Sequence, residues 1–300
     1  MGTNVVQKLE LRTHQAFIED HLMNFSLRRV CKMLNIARSG YYAWTKEKVR
    51  KRKAANQILD KKIIEVFTHH RGNYGCPRIT DELRENGERC ARHRVARRMR
   101  HLGLRAKAKR KFKVTTDSNH QLPVAGNLLN RDFSASGPNQ KWAGDITYIR
   151  TEEGWLYLAV VIDLYSRAVI GWSMKPHLSR DLVCDALMMG LWRRGFPHGV
   201  LFHSDRGSQY CSADYQKLLN VYGLTCSMSR KGNCWDNAVV ESFFHTLKTE
   251  LIYMGSYSSR DIAKREVFQY IESYYNRVRR HSALGSIAPM VFEDQFRKVV

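Results

Sequence analysis

Three acidic residues occupy positions at which a carboxylate is suited to binding a metal ion. Asp145 lies inside an apolar, strand-like run, where an acidic residue is otherwise unfavourable. Asp205 follows the predicted strand 200–203, at the carboxyl end where open α/β sheets place their ligands. Glu241 lies in a predicted helix. Carboxylates from separate elements can hold two Mg²⁺ ions, ~3.5–4 Å apart, that support in-line phosphoryl transfer.

The helix that carries Glu241 has two contrasting faces. Its apolar stripe consists of Val240, Phe243, Phe244, Leu247 and Leu251, and its polar stripe of Asn237, Glu241, His245 and Lys248. The polar stripe can present Glu241 to the edge of a sheet. It can also present His245 and Lys248 to a phosphate backbone.

Other acidic residues compete for the same role. Asp163, at the end of the second predicted strand, is a rival for the first ligand, and Asp236 and Glu250 are rivals of Glu241. Asp236 is better explained as the N-cap of the Glu241 helix, because a capping carboxylate accepts hydrogen bonds from free backbone N–H groups. Composition and periodicity alone leave the choice of ligands open.

The charge of the chain indicates a polyanionic partner. Among its 300 residues, 50 are Lys or Arg and 28 are Asp or Glu, for a net charge of +22. The surplus is concentrated in residues 1–120, which carry 29 basic and 11 acidic residues. Solubility alone is the alternative explanation. A basic first half joined to a nearly neutral second half favours nucleic acid as the partner.

The basic half contains a pattern typical of a helix-turn-helix. A short helix, 78–86, ends at Gly87, and a second helix, 92–102, is rich in arginine. The predicted DNA contacts here are Arg92, Arg94, Arg97, Arg98, Lys107, Lys109 and Arg110. Residues 26–44 form a further helical pair, either a helix-turn-helix or a plain hairpin, in which Ser39 is placed to cap the second helix.

The elements predict two kinds of domain. Residues 139–255 give the order β-β-β-α-β-α-β-α, which indicates an α/β domain with a mixed sheet. The predicted regions are an N-terminal helical region (1–50), a helix-turn-helix DNA-binding domain (51–113), a linker (114–138), the α/β domain (139–255), and a C-terminal helix with a basic tail (256–300).

Several classes of protein are not indicated. The seven cysteines are scattered and include no CxxC pair, so neither a zinc ribbon nor a disulfide framework is predicted. Apolar runs fall far short of the ~20 residues that a membrane helix needs. With no charged and then apolar leader at the start of the chain, we expect a cytoplasmic protein that is not bound to a membrane.

The motifs around the three acids resemble a known family. They read WAGDITY at 142–148, HSDRGSQY at 203–210, NAVVESFF at 237–244, LKTE at 247–250 and YNRVRRHS at 275–282. Asp145 and Asp205 are separated by 59 residues, and Asp205 and Glu241 by 35. Over residues 60–295 the chain resembles the OrfB-type transposases of bacterial insertion sequences, relatives of retroviral integrases with the DD(35)E pattern. The amino-terminal His/Cys zinc module of the retroviral branch is missing, so no zinc is expected.

The resemblance implies a ribonuclease-H-like core, a mixed five-stranded sheet flanked by helices, with Asp145, Asp205 and Glu241 as ligands of two Mg²⁺ ions. Mn²⁺ is expected to replace Mg²⁺. The same resemblance makes Asp163 a weaker candidate for the first metal ligand. The implied reaction cleaves the ends of an insertion sequence and joins the 3′-OH to DNA, by a copy-out, paste-in route through a circular intermediate.

The implied partners are double-stranded DNA, as terminal inverted repeats and target, and further copies of the chain assembled on it in the bacterial nucleoid. Many members of the family receive end-binding helices and a leucine zipper from an upstream frame. No heptad run occurs here, so an upstream-frame partner is a further expectation. Lys231, His245, Lys248, Arg279 and Arg280 are additional candidate DNA contacts. The competing hypotheses are a DNA-binding regulator with an inert core and a nonspecific Mg²⁺ nuclease.

Overall fold

The structure is a computed structural model that describes residues 26–107 and 122–299. The chain divides into two compact units, Met1–Arg105 and Ala106–Val300. We call them the helical unit and the sheet unit. The predicted DNA contacts Lys109 and Arg110 lie outside the described residues, as does the first part of the predicted linker.

The described part of the helical unit is all α-helical. Its helices are α1 (Leu27–Met33), α2 (Arg38–His69), α3 (Cys76–Glu85) and α4 (Arg92–His101). A small core joins the last three helices and consists of Leu59, Ile63, Val66, Tyr74, Ile79, Leu83, Cys90, Val95 and Met99. Gly87 has a φ of +82°, which glycine adopts without strain, and it lies in the turn between α3 and α4. The short pair of helices predicted here is therefore confirmed.

Helix α2 is longer than its sequence pattern indicates. It runs without a break across residues 50 and 51, where a domain boundary was predicted. Residues 45–57 contain no glycine or proline and are mostly good helix formers, so nothing stops the helix there. The expected cap is wrong, because Ala37 rather than Ser39 occupies the N-cap, and no side chain caps the helix.

The sheet unit contains a mixed five-stranded sheet, which confirms the predicted fold class. The strands are β1 (Lys141–Thr151), β2 (Gly154–Asp163), β3 (Val169–Lys175), β4 (Leu201–Ser204) and β5 (Thr225–Met228). They are arranged in the order β3-β2-β1-β4-β5. The first three strands pair antiparallel, whereas β4 pairs parallel to both β1 and β5.

Helices cover both faces of this sheet. They are α5 (Arg180–Arg194), α6 (Ser208–Cys211), α7 (Ala213–Val221), α8 (Ala238–Glu250), α9 (Arg260–Phe268) and α10 (Pro289–Val299). Successive side chains of β2 point to opposite faces of the sheet, as the two-residue period of a strand requires. Leu158 and Val160 belong to the core that includes α8 and α9, whereas Ala159 and Val161 belong to the core with α5 and α7.

Two predicted helices have different ends in the structure. The helix expected to carry Glu241 is a 3₁₀ turn (Cys234–Asn237), then α8, then a second 3₁₀ turn (Ile252–Met254). The helix expected in the C-terminal region is α9 followed by a π-helical segment, Gln269–Tyr275. The side chain of Asn276 ends that segment by bonding the backbone N–H and carbonyl of Val169. Within the described residues, no helix has the length and apolar character needed to cross a membrane.

Helix α5 lies unusually close to β3. A Cβ atom added to Gly171 would be 2.1 Å from the carbonyl oxygen of Ala186 and 2.7 Å from the backbone nitrogen of Gly190. Backbone atoms cannot move aside as a flexible side chain can, so this contact requires glycine.

We predict that Gly171→Ala destabilises the protein by about 3 kcal/mol, at the upper end of the cost of overpacking a core. Gly126→Ala is the matched control, because a Cβ there has no neighbour within 4 Å. Urea denaturation followed by circular dichroism measures both. Equal midpoints for the two variants would contradict the close approach of α5 and β3.

Candidate active site

Asp145 and Asp205 are brought together by the parallel pairing of β1 with β4. Ala143 is paired with His203, so each aspartate stands two residues beyond the same paired position. Equal steps along neighbouring parallel strands keep residues side by side. The two carboxyl groups therefore meet near the carboxyl end of β4.

Glu241 reaches the same place from α8. The apolar stripe of that helix, with Val240, Phe243 and Phe244, packs into the core that also holds β1 and β2. The side-chain amide of Asn237 donates a 3.2 Å hydrogen bond to the carbonyl of Gly144, the residue before Asp145. This bond ties the start of α8 to β1, and Glu241 lies one helical turn further on.

The three carboxylates affect one another electrostatically. Burial raises the pKa of Asp145 well above its usual range, and the negative charges of Asp205 and Glu241 raise it further. A hydrogen bond from the backbone N–H of Ile146 opposes that shift. Burial also raises the pKa of Glu241. The like charges at this site are therefore only partly compensated by the protein.

Lys248 supplies part of that compensation. Its side chain is buried, and its ammonium group lies 4.8 Å from the ring centre of Tyr148, in a cation–π contact. Burial lowers the pKa of Lys248, whereas the charge of Asp145 raises it. The ammonium group is therefore inside the site and close to Asp145, rather than on the outer surface.

The donor set suits a hard divalent cation. All three side chains offer carboxylate oxygens, which Mg²⁺ prefers. One oxygen of Asp145 accepts the Ile146 N–H at 2.8 Å, and one of Asp205 accepts the Gly207 N–H at 2.9 Å. In the part of the chain that the structure describes, no three carboxylate, imidazole or thiol groups are close enough to enclose one metal ion. The chemistry of the donor set therefore suits a cation, although these three side chains are not arranged in the described structure to enclose one ion.

Asp236 has a role that the sequence did not predict. It is completely buried and accepts hydrogen bonds from the backbone and guanidinium of Arg230, from Arg131 and from Asn127. These opposite charges hold the pKa of Asp236 far below its usual range. The predicted N-cap is wrong, because Asn237 occupies that position and no side chain caps α8. Asp236 instead fixes the loop that leads into α8.

The other two rival acids also have structural partners. Asp163 is buried and accepts backbone N–H groups from Asn139 and Tyr165, both at 2.8 Å. Glu250 is buried at the end of α8 and accepts hydrogen bonds from Arg279 and Tyr270.

Several predicted DNA contacts point elsewhere. The guanidinium of Arg279 is buried against Glu250 at 2.7 Å, so its expected place on the DNA-facing surface is wrong. Arg280 donates to the carbonyl of Ser286 at 2.8 Å. Lys107 donates to the carbonyl of Glu250 at 3.0 Å. Lys231, by contrast, is exposed, and the side chain of His245, one turn beyond Glu241, is half-buried.

The arginines of α4 divide into two groups. Arg98 makes a two-point ion pair with Asp60 of α2, at 2.7 and 2.6 Å, and Arg94 donates to Asn56 at 3.1 Å. These two hold α4 against α2. Arg92 and Arg97, together with Arg100, are exposed and are therefore the arginines of this helix that are available to a ligand.

Comparisons with known families agree with this division of the chain. Two family models described as "Integrase core domain" match residues 135–234 and 222–289, which include the three acids. A third, described as "HTH-like domain", matches residues 53–112, which include α3 and α4.

Curated relatives match over nearly their whole length. "Transposase InsF for insertion sequence IS3A" of Escherichia coli (strain K12) is 54% identical over 281 residues, 93% of this chain and 98% of the relative. "Insertion element IS600 uncharacterized 31 kDa protein" of Shigella sonnei is 44% identical over 270 residues, 90% of this chain and 99% of the relative. Among solved structures, a chain of the simian T-cell lymphotropic virus intasome is 16% identical with a TM-score of 0.46, covering 77% of this chain and 73% of that one.

We predict that Asp145→Asn stabilises the protein in the presence of a chelator. A carboxyl group whose pKa is higher in the folded than in the unfolded protein stabilises the fold fully below its unfolded-state pKa, ~4. That contribution is lost as the pH rises through the folded-state pKa. At pH 7 the uncharged amide avoids this loss, so we expect a Tm increase of about 2–4 °C, which corresponds to about 1 kcal/mol.

Asp185→Asn is the control for this prediction, since Asp185 is exposed and pairs with Lys175 at 2.7 Å. Thermal melts in EDTA between pH 4 and pH 8 measure the effect. A lower Tm for Asp145→Asn than for the wild type at pH 7 would refute the repulsion among the three acids.

Proposed function

The chain belongs to the family of insertion-sequence transposases, and we propose that Asp145, Asp205 and Glu241 are the carboxylates with which it cleaves and joins DNA. The observation that carries this proposal is the convergence of the three acids within the matched integrase core, where β1 and β4 place Asp145 beside Asp205 and the charges of Asp205 and Glu241 act on Asp145. A site of this kind binds cations and, through them, the phosphates of DNA.

The proposed reaction consists of two phosphoryl transfers. In the first, the oxygen of water attacks a phosphodiester at the element end, and the bond to the 3′ oxygen breaks to leave a free 3′-OH. In the second, that 3′-OH attacks another phosphodiester and displaces its leaving oxygen. Both steps exchange one P–O bond for another, so no covalent link to a protein side chain is needed.

We infer that the three carboxylates hold two Mg²⁺ ions, which Mn²⁺ can replace. When bound, such ions stabilise the attacking and leaving oxygens of the displacement. The backbone N–H groups of Ile146 and Gly207 orient the carboxyl groups of Asp145 and Asp205 by occupying one oxygen of each. Lys248 limits the negative charge beneath the reacting phosphate.

The proposed DNA partners are the terminal inverted repeats of the element and the target duplex. The exposed arginines of α4 support contact with DNA by the helical unit, and Lys231 supports contact near the carboxylates. We infer that copies of the chain assemble on paired ends in the bacterial cytoplasm, at the nucleoid, with an upstream-frame partner protein. Crosslinking on DNA, with and without that partner, tests the assembly.

A DNA-binding regulator with an inert core is the alternative hypothesis, and a nonspecific nuclease is another. Incubation with a labelled terminal inverted repeat and Mg²⁺ separates all three. Joined products support the transposase reaction, nicks without joining support a nuclease, and binding without either supports a regulator.

We predict that Asp145→Asn, Asp205→Asn and Glu241→Gln each lower cleavage and joining by about 100-fold or more, because the ions contribute several kcal/mol to the transition state. DNA affinity should stay the same or increase slightly, since each change removes a negative charge from a surface that meets phosphate. Gel assays of cleavage, joining and binding measure these effects. Asp185→Asn is the control. A Glu241→Gln protein that joins DNA at the wild-type rate would overturn the assignment of Glu241 as one of the three carboxylates.

We predict that Arg92→Ala with Arg97→Ala weakens DNA binding and reduces the slope of log affinity against log salt concentration by about 2, because each lost phosphate contact contributes about 0.9. The fold should be unaffected, since both side chains are exposed. Arg98→Ala should instead lower the Tm of the protein by removing the partner of Asp60. Equal salt slopes for the double variant and the wild type would exclude these two arginines as phosphate contacts.

A further inference from the structure

Trp235 is placed contrary to the usual preference of its side chain. It is 69% exposed, whereas the next residue in the chain, Asp236, is completely buried. A folded protein normally buries an indole and leaves a carboxylate in water. The 3₁₀ turn Cys234–Asn237 does the opposite, which leaves most of the ring open to a ligand.

The turn that presents the ring is fixed on its carboxyl-terminal side. Asp236 binds Arg230, Arg131 and Asn127 through five hydrogen bonds of 2.8–2.9 Å. Asn237 donates to the carbonyl of Gly144 at 3.2 Å. The backbone beneath Trp235 is thereby held by charged partners and by β1, so binding a ligand to the indole requires little ordering of the chain.

The turn that carries the indole borders the strand that carries Asp145. Asn237 contacts the residue next to Asp145, and Trp235 precedes Asn237 by two residues, a backbone span of at most about 7 Å. A DNA strand whose phosphate lies at the three acids would pass this turn, where the exposed ring is accessible to its bases.

The chemistry of this surface fits a nucleobase. An aromatic ring stacks on the face of any base, and this interaction needs the base to be out of the duplex. The exposed side chain of Lys231, four residues earlier, offers a cation for the adjacent backbone phosphate.

We propose that Trp235 stacks on an unpaired base beside the phosphate that is cut, and so favours opening of the terminal base pairs of the element. The proposal rests on the proposed function of Asp145, Asp205 and Glu241. It assigns Trp235 a role in binding the DNA end, not in the chemical step.

The first test is binding of the full chain in Ca²⁺ to three duplexes that carry the end of the element encoding it. One is fully paired, one is mismatched at the two pairs beside the cut, and one carries abasic nucleotides there. We expect the wild type to bind the mismatched duplex about tenfold more tightly than the paired or abasic one, because stacking is gained without the cost of opening. Trp235→Ala should bind all three alike, and Trp235→Phe should keep part of the preference.

The matched control is Trp192→Ala, because Trp192 in α5 is also 69% exposed. It should retain the wild-type preference among the three duplexes. If Trp235→Ala also retains that preference, or if Trp192→Ala loses it, stacking by Trp235 is excluded. This comparison needs no cleavage, so its outcome is independent of whether the three acids are catalytic.

The second test is cleavage in Mg²⁺. Trp235→Ala should cut the paired duplex about tenfold more slowly than the wild type, and the deficit should fall to within about threefold on the mismatched duplex. An equal deficit on both substrates would mean that Trp235 acts on the fold or on phosphate binding, and would overturn the proposal. A wild type that cuts neither substrate would instead count against the proposed function.

Discussion

The sheet unit is organised around repulsion between carboxylates that the fold holds close together. Asp145 and Asp205 are adjacent because β1 and β4 are parallel and in register, and each stands two residues beyond the pair Ala143 and His203. Glu241 adds a third negative charge from α8. Two backbone N–H groups and the ammonium group of Lys248 reduce the repulsion, but they leave the carboxyl group of Asp145 with a raised pKa. Under the proposed function, a bound cation would relieve the remaining repulsion.

Asp145 and Asp236 illustrate how surroundings decide the role of a residue type. Burial raises the pKa of Asp145 and its acidic neighbours raise it further, whereas the completely buried Asp236 is next to two arginines that lower its pKa. The first carboxylate keeps a charge that the protein compensates only in part, whereas the second is satisfied within the protein and fixes the approach to α8. Removing the charge should accordingly stabilise the metal-free protein at Asp145 and destabilise it at Asp236.

The sequence predicted those features that depend on short-range periodicity. The apolar stripe of α8 specifies both the helix and the face that it buries, and it is found in the structure. The sequence did not predict Asp236, because its partner Arg131 is 105 residues away and belongs to a segment with no periodicity. Arg279 was misplaced for the same reason, since its partner Glu250 lies 29 residues away, in α8. Ion pairs between distant segments leave no local pattern in a sequence.

This distinction also changes how a basic sequence should be interpreted. Within one turn of α4, Arg97 is exposed while Arg98 is paired with Asp60, although both belong to the same run of positive charge. The run therefore overstates the number of arginines available to phosphate, because part of it holds α2 and α4 together. Of these arginines, only the exposed group is available to phosphate, whereas the paired group contributes to stability. The paired Arg94 and Arg98 are four residues apart and share one face of α4, whereas the exposed arginines lie on the rest of its surface, so substitutions at the exposed positions need not disturb the fold.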